Sequence, residues 1–158
     1  MRNRLLTISI PTHNASHYLD QALESIIQEP GLGIDYEIIL SDNSLSEETK
    51  HLYISKYSNK NGIYYHRSLE YSSLDSNVNR SVELAKGLYV WIFGDDDLIV
   101  PGSIKNIIAF LKNHQPNLLV VNSESFNKKG LIEKSRIPIS NNLIYTEKQN
   151  DEFLVDFG

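Results

Sequence analysis

Residues 89–102 read YVWIFGDDDLIVPG. An apolar run, Tyr89 to Phe93, stops at Gly94. Three carboxylates follow at Asp95, Asp96 and Asp97, and Leu98 to Val100 lead into Pro101-Gly102. A short run rich in aromatic and β-branched residues that ends at glycine reads as a buried strand. Behind the Pro-Gly turn, Ile104, Ile107, Ile108 and Leu111 recur at helical spacing. Two unit charges about 5 Å apart repel by roughly 3 kcal/mol at an effective dielectric near 20. Three aspartates in a row therefore call for an offset: a bound cation, a helix N-terminus or open solvent. The helix is expected to start only near Pro101. Local chemistry leaves a metal site and an exposed acidic turn both open. If the strand continued, alternation would put Asp95 and Asp97 on one side and Asp96 on the other, which does not choose among them.

The same sentence structure recurs along the chain. Leu6–Ile10 is a short β-branched run that stops at Pro11-Thr12-His13-Asn14. Tyr36–Leu40 stops at Ser41-Asp42-Asn43-Ser44. Gly62–His66 gives a third strand, Leu88–Phe93 the fourth and Leu118–Asn122 a fifth. Between them lie helical patterns. Tyr18, Leu19, Ala22, Leu23, Ile26 and Ile27 form the first, with Asn14 or Ser16 as its cap. Leu52, Tyr53 and Tyr57 form the second, opened by Ser46, Glu48 and Thr49, and Val78, Val82, Leu84 and Ala85 the third, closed by Gly87. Strands alternating with helices predict an α/β fold with a mostly parallel sheet. Ligands in such sheets bind outside the carboxyl ends of the strands, where three polar clusters fall. Beyond residue 125 the pattern is less regular. Ile137–Ile139 and Leu143–Tyr145 suggest short strands and Glu147–Phe157 a last helix.

Composition narrows the function. The chain has 158 residues, 41% of them hydrophobic, so one domain with a core is expected rather than a disordered segment. Net charge is −5 and no clustered Lys/Arg face is apparent, which argues against a nucleic-acid partner. There is no cysteine, so thiolate metal sites and disulfides are excluded and a reducing compartment fits. No apolar run approaches the roughly 20 residues of a membrane span, and the first residues lack the apolar core of a signal peptide. The glycines form neither GxGxxG nor a Walker loop, and no GxSxG elbow is present.

Each cluster has a plain reading beside the functional one. Asp42 in SDNS is a natural turn former, and an aspartate at a strand end can also bond a base or ribose. His13 beside Asn14 reads as a surface or capping residue, and without a spaced second ligand zinc is disfavoured.

Taken in order, ISIPTHN, a helix, YEIILSDNSLSEET and ELAKGLYVWIFGDDDLIVPGSI resemble the family 2 nucleotide-sugar glycosyltransferases of the Rossmann-like GT-A fold, over roughly residues 5–125. The YVW-x-x-GDDD variant resembles bacterial enzymes that build O-antigen or capsule-like polysaccharides. The resemblance implies a nucleotide-sugar-binding core over 1–125 and the start of an acceptor-side region over 126–158, in a chain expected to be part of a longer enzyme. Pro11, Thr12 and Asn14 match the loop lining the nucleotide pocket, and His13 stands where an aromatic residue packs on the base. Asp42 matches the aspartate that bonds the pyrimidine edge, with Ser41 where another Asp is common. Asp96 aligns with the metal-holding aspartate, Asp95 falls where relatives contact ribose or metal, and Asp97 is a further metal candidate. Gly94 replaces the first Asp of the commoner D-x-D-D form. Asp75, Asn77 and Asn79 precede the third helix near the nucleotide.

The implied cofactor is Mn2+ or Mg2+. The implied donor is a nucleoside-diphosphate sugar, UDP-type with CDP or dTDP as alternatives, and the acceptor a saccharide or lipid-linked saccharide. The implied reaction is inverting transfer, with Asp95 and Asp96 at the reacting centre and a general base expected beyond Gly158. The implied location is cytoplasmic, with peripheral association at the inner face of the membrane considered for the full-length enzyme. Two other readings compete. A nucleotidyltransferase would want a glycine-rich basic loop where this chain has PTHNASHY. A non-catalytic sugar-nucleotide-binding domain would share every feature named.

Overall fold

Four short apolar runs become the strands of one parallel sheet. The computed structural model describes residues 4–70, 73–126 and 132–133. Its elements are β1 (Leu6–Thr12), α1 (Ser16–Ile27), β2 (Tyr36–Asp42), α2 (Glu48–Leu52, continuing into a π-helical turn Tyr53–Tyr57), β3 (Ile63–Arg67), α3 (Leu74–Glu83), β4 (Tyr89–Ile92) and α4 (Ser103–His114). The strand order is β3-β2-β1-β4, with every neighbour parallel. Among the described residues no helix is long and apolar enough to cross a membrane.

The register explains why the polar strand ends face one another. Leu6 lies opposite Tyr36 and Tyr89, and the β1–β2 ladder runs on to Thr12 opposite Asp42. Both strands are therefore two residues longer than the expected Leu6–Ile10 and Tyr36–Leu40. Pro11 does not end β1. Phe93 N–H donates to Ser9 O and Asn43 N–H to Thr12 O, so alternate residues of β1 address opposite neighbours. Pro11 falls on the β4 side, where the ladder has already finished at Ser9–Ile92. Its missing N–H removes no ladder bond.

Alternation gives the sheet two unlike faces. Leu6, Ile8, Ile10, Tyr36, Ile38 and Leu40 form a buried apolar face. The Tyr36 hydroxyl donates to Ile26 O (3.1 Å) and Glu29 O (3.0 Å), which sets α1 over it with Leu19, Ala22, Leu23 and Ile26 buried. Each such side chain contributes about 1.5–3 kcal/mol by leaving water. The other face carries Thr7, Ser9, Glu37 and Ser41, also buried, under α3. Glu37 is satisfied there, accepting from Arg4 Nη1 (3.0 Å), Thr7 Oγ1 (2.9 Å) and Lys86 N (2.9 Å), whereas the buried Ser9 Oγ has no partner among the described residues. Gly87 makes the return into β4 possible, because a Cβ there would sit 2.5 Å from Thr7 N.

Several expectations are corrected. Leu118–Asn122 is not a strand. It has no ladder partner among the described residues, and Leu118 is 68% exposed. An apolar run becomes a strand only where a neighbour supplies hydrogen bonds. The first compact unit runs to Gln115. In the second unit, Ser125–Phe126 (β5) pairs antiparallel with Ile132–Glu133 (β6). Neither Asn14 nor Ser16 caps α1: its N-cap is Ala15, with no side-chain bond. Asn14 instead bonds Leu45 N (3.2 Å) and Ser16 bonds Glu48 (3.2 Å). Helix α3 begins at Leu74, before Asp75, Asn77 and Asn79, because Ser73 and Ser76 form a reciprocal capping box. The strands suggested at 137–139 and 143–145 and the helix suggested at 147–157 lie outside the described residues.

Candidate functional site

The carboxyl edge of the sheet is a hydrogen-bonded platform of three loops. After β1, Asn14 adopts a left-handed backbone (φ 52°). Its N–H then donates to Ser44 Oγ at 2.8 Å, while its Oδ1 accepts from Leu45 N. His13 Nδ1 lies 3.1 Å from Asn43 O and 2.9 Å from Asn43 Oδ1, and Asn14 Nδ2 lies 2.9 Å from His13 Nε2. Two oxygens can only accept, which assigns the proton to Nδ1 and leaves Nε2 to accept from Asn14. The β1 and β2 loops are thus laced to one another.

Asn77 fastens them from below. It is 2% exposed. Its Nδ2 donates to Thr12 O (3.3 Å) and Ser41 O (3.0 Å), and its Oδ1 accepts from Ser41 Oγ (2.8 Å). Arg80 Nη1 donates to the same Ser41 Oγ at 3.3 Å. With its polar atoms turned into the protein, Asn77 supports the platform rather than presenting its amide. Asp75 and Asn79 occupy exposed positions on α3.

Asp42 closes the β2 end. Oδ1 accepts from Ser44 N (2.7 Å), Oδ2 accepts from Tyr65 Oη (2.6 Å), and Arg67 Nε stands 4.0 Å from Oδ2. Arg67 also donates to the carbonyls of Ser44, Leu45 and Ser46 and pairs with Glu47. The Asp42 side chain has no solvent exposure. It folds the SDNS turn, and a ligand reaches it only after the surrounding side chains move. Burial first, and then the bond to Asp42, push the Tyr65 phenol well above its ordinary range.

The acidic turn lies against the β1 loop. Thr12 Oγ1 donates to Asp95 Oδ2 at 2.7 Å. Burial raises the Asp95 pKa and the neighbouring Asp96 charge adds to it. The bonds from Thr12 and from the His13 backbone oppose both. Asp96 and Asp97 are exposed. Their carboxylates fold back over Gly94, where a Cβ would sit 2.7 Å from Asp97 Oδ2 and 3.1 Å from Asp96 Oδ1. Glycine at 94 therefore makes room for two carboxylates to face one place. Among the described residues no group of three or more His, Asp or Glu is arranged to hold a metal by itself. The donor set instead suits a hard cation that takes one or two carboxylates and completes its shell with water and phosphate oxygens. Asp96 and Asp97 would hold it, with Asp95 beside them.

Of the residues singled out in the sequence, Pro11, Thr12, His13, Asn14, Asp95, Asp96 and Asp97 come together at this edge, with Asn77 and Asp42 built into its floor. Tyr65, Arg67 and the Thr12–Asp95 bond had no signal in the sequence, because each is a contact between distant segments.

In a parallel α/β sheet of this kind ligands bind outside the carboxyl ends of the strands, where the interlocked loops and the acidic turn lie. Comparison with known proteins places it further. The family model for glycosyl transferase family 2 matches residues 7–157, and the chain belongs to that family. Among curated relatives, an abequosyltransferase, RfbV, of Salmonella typhimurium is 35% identical over 108 residues, covering 68% of this chain and 32% of the relative. The poly(ribitol-phosphate) beta-N-acetylglucosaminyltransferase TarS of Staphylococcus aureus is 24% identical over 132 residues, covering 79% of this chain and 22% of the relative. The chain thus spans a third or less of the length of these two. Crystal structures of S. aureus TarS 1–349 match the fold with a TM-score of 0.62 at 21% identity, over 70% of this chain and 33% of that one. The match is 0.60 at 22% for its complex with UDP-GlcNAc, over 70% and 32%. The sheet and its helices are those of the GT-A glycosyltransferases.

Proposed function

We propose that this chain is the donor-binding part of a metal-dependent, inverting glycosyltransferase that moves a sugar from a nucleoside-diphosphate sugar to a saccharide or lipid-linked acceptor in bacterial surface polysaccharide synthesis. The observation that carries the reading is the Thr12–Asp95 bond. It ties the acidic turn to the last residue of β1, so that one ligand can touch both. The base lies toward His13 and the β2 turn, and the diphosphate toward Asp96 and Asp97. UDP is the favoured nucleotide, supported by the UDP-GlcNAc complex of the structurally similar TarS. A Mn2+ or Mg2+ ion bound there would neutralise the leaving diphosphate.

The chain's own residues have narrower tasks. Thr12 and the His13 backbone orient Asp95 and oppose the rise in its pKa that burial causes. His13 offers a flat ring whose tilt is fixed by Asn43 and Asn14. In the transfer itself the acceptor oxygen bonds to the anomeric carbon, the bond from that carbon to the diphosphate breaks, and a base takes the acceptor proton. No described residue is assigned as that base. Cytoplasmic placement, and contact with the inner face of the membrane, belong to the same reading.

The test is binding of UDP, CDP, GDP and dTDP with and without Mn2+. Metal-dependent binding of one pyrimidine diphosphate, lost in Asp96→Ala, is expected. Folded protein that binds none of them under any condition would refute the reading.

A further inference from the structure

The acidic turn is held at its exit as well as its entry, and the two exit contacts come from the C-terminal end of α1 and the residues just after it. At the entry, Phe93 is 5% exposed, its N–H donates to Ser9 O, and Thr12 holds Asp95. At the exit, Ile99 N–H donates to Ser25 Oγ at 3.0 Å, and Ser25 in turn donates to Ala22 O at 2.7 Å. Two residues past the end of α1, Glu29 Oε1 accepts from Gly102 N at 2.6 Å. Between these anchors Gly94 to Leu98 make one backbone bond of their own, Asp97 N to Gly94 O at 3.3 Å. The turn has little internal structure to fix its shape.

Glu29 does a second task. Helix α4 has glycine at its N-cap, in a left-handed conformation and without a side-chain cap of its own. The Glu29 carboxylate, from just beyond α1, supplies the acceptor and the negative charge that a helix N-terminus favours. The cost is plain: Glu29 lies just past the C-terminus of α1, where its charge is disfavoured. It is only 7% exposed, and its Oε2 is buried without a hydrogen-bond partner. Burial first, and then the neighbouring Glu29, push the Tyr36 phenol up to about 12. A residue kept in so poor an electrostatic setting is held there for what it bonds.

We infer that Ser25 in the last turn of α1 and Glu29 just beyond it are positioning residues that set the shape of the Gly94–Leu98 turn and so the aim of Asp96 and Asp97 toward a metal-bound diphosphate. They touch no ligand. This rests on the reading of the acidic turn as a metal–diphosphate site.

The 158-residue chain is tested as Ser25→Ala and Glu29→Ala, with Ser25→Thr and Glu29→Gln as conservative partners that keep an acceptor for each amide. Hydrogen exchange is followed at the Ile99 and Gly102 amides and across residues 94–98. In parallel, UDP and uridine binding are titrated with and without Mn2+. In the alanine variants the two amides and the turn exchange at least tenfold faster while amides of β1 and β2 do not. Mn2+-dependent UDP affinity falls roughly fivefold or more with metal-free uridine binding unchanged, and the conservative variants recover most of both. Unaltered exchange at residues 94–102, or equal losses for UDP and uridine, would overturn the inference. Wild type that shows no Mn2+-dependent UDP binding would overturn the functional reading itself, and with it the aim assigned to these residues, whatever the exchange data show. Should an alanine variant fail to fold, the Thr and Gln variants still decide. Exchange and affinity like wild type support the inference, and tenfold losses despite an intact acceptor contradict it.

Discussion

Thr12 Oγ1 and Asp95 Oδ2 lie 2.7 Å apart across 83 residues of sequence. This one bond joins the last residue of β1 to the turn after β4. Hydrogen bonds to charged groups are worth about 1.5–3 kcal/mol. Thr12→Val keeps the shape of the buried side chain and removes the donor. Metal-dependent nucleoside diphosphate binding is expected to weaken about tenfold or more, and Thr12→Ser should restore most of it. Calorimetric titration of the two variants checks this.

Asn77 makes the converse case, a support rather than a contact. Asn77→Ala removes one partner from each of Thr12 O, Ser41 O and Ser41 Oγ; Thr12 O keeps Asn43 N–H and Ser41 Oγ keeps Arg80, but the Ser41 hydroxyl proton loses its acceptor in a buried setting. Each unsatisfied buried group costs about 1–3 kcal/mol. Urea unfolding should show a loss of that size or somewhat more. Asn77→Asp keeps the shape but loses the Nδ2 donor, and is predicted to be no better than alanine. A variant as stable as wild type would mean that the staple carries no weight.

Much of this was legible in the sequence, and the part that was not has a common cause. Buried runs such as Ile8–Ile10 and Ile38–Leu40 announce themselves because every residue in a parallel central strand is apolar or small. The strand-end clusters PTHN, SDNS and GDDD were readable as a set because topology puts such ends on one edge. Leu118–Asn122 looked the same by composition and is not a strand. Composition reports the wish to be buried, while a strand also needs a partner. The resemblance implies ligand contacts for Asp42 and Asn77, and for Asp42 the residues alone equally allow a turn former. Only the packing shows that Tyr65, Arg67 and Ser41 hold their polar atoms inward.

Gly94 separates space from strain. Its φ lies outside the left-handed region, so alanine is allowed by the backbone, but the new Cβ would meet Asp97 Oδ2 at 2.7 Å. The obstacle is the end of two exposed side chains, which can turn away. Gly94→Ala is therefore expected to unfold within a few degrees of wild type while its metal-dependent diphosphate affinity drops several-fold. Differential scanning calorimetry and metal titration together make the test. A large loss of thermal stability with affinity intact would reverse the interpretation.

His66 gives a pH dependence with a definite sign. Its pKa is lowered from 6.5, first by burial and then by the charges of Arg80 and Lys86. The unfolded chain takes up this proton more readily than the folded one, so stability rises with pH in that range. The contribution is present above about pH 6.5 and is lost as pH falls through the lower folded value. In His66→Gln, stability measured by denaturant unfolding between pH 7 and pH 5 should change less steeply than in wild type. A slope unchanged by the substitution would rule out His66 as the source.

The central claim is that the aspartates after β4 hold a metal that holds a diphosphate. It is tested most directly by calorimetry of UDP binding to wild type and to Asp96→Ala, each with and without Mn2+. The account predicts that wild type binds UDP more tightly with Mn2+ than without. It also predicts that Asp96→Ala, folded by circular dichroism, loses that difference. Equal UDP affinity with and without the metal in wild type, or a metal effect that survives in Asp96→Ala, Asp97→Ala and the double variant, would contradict it.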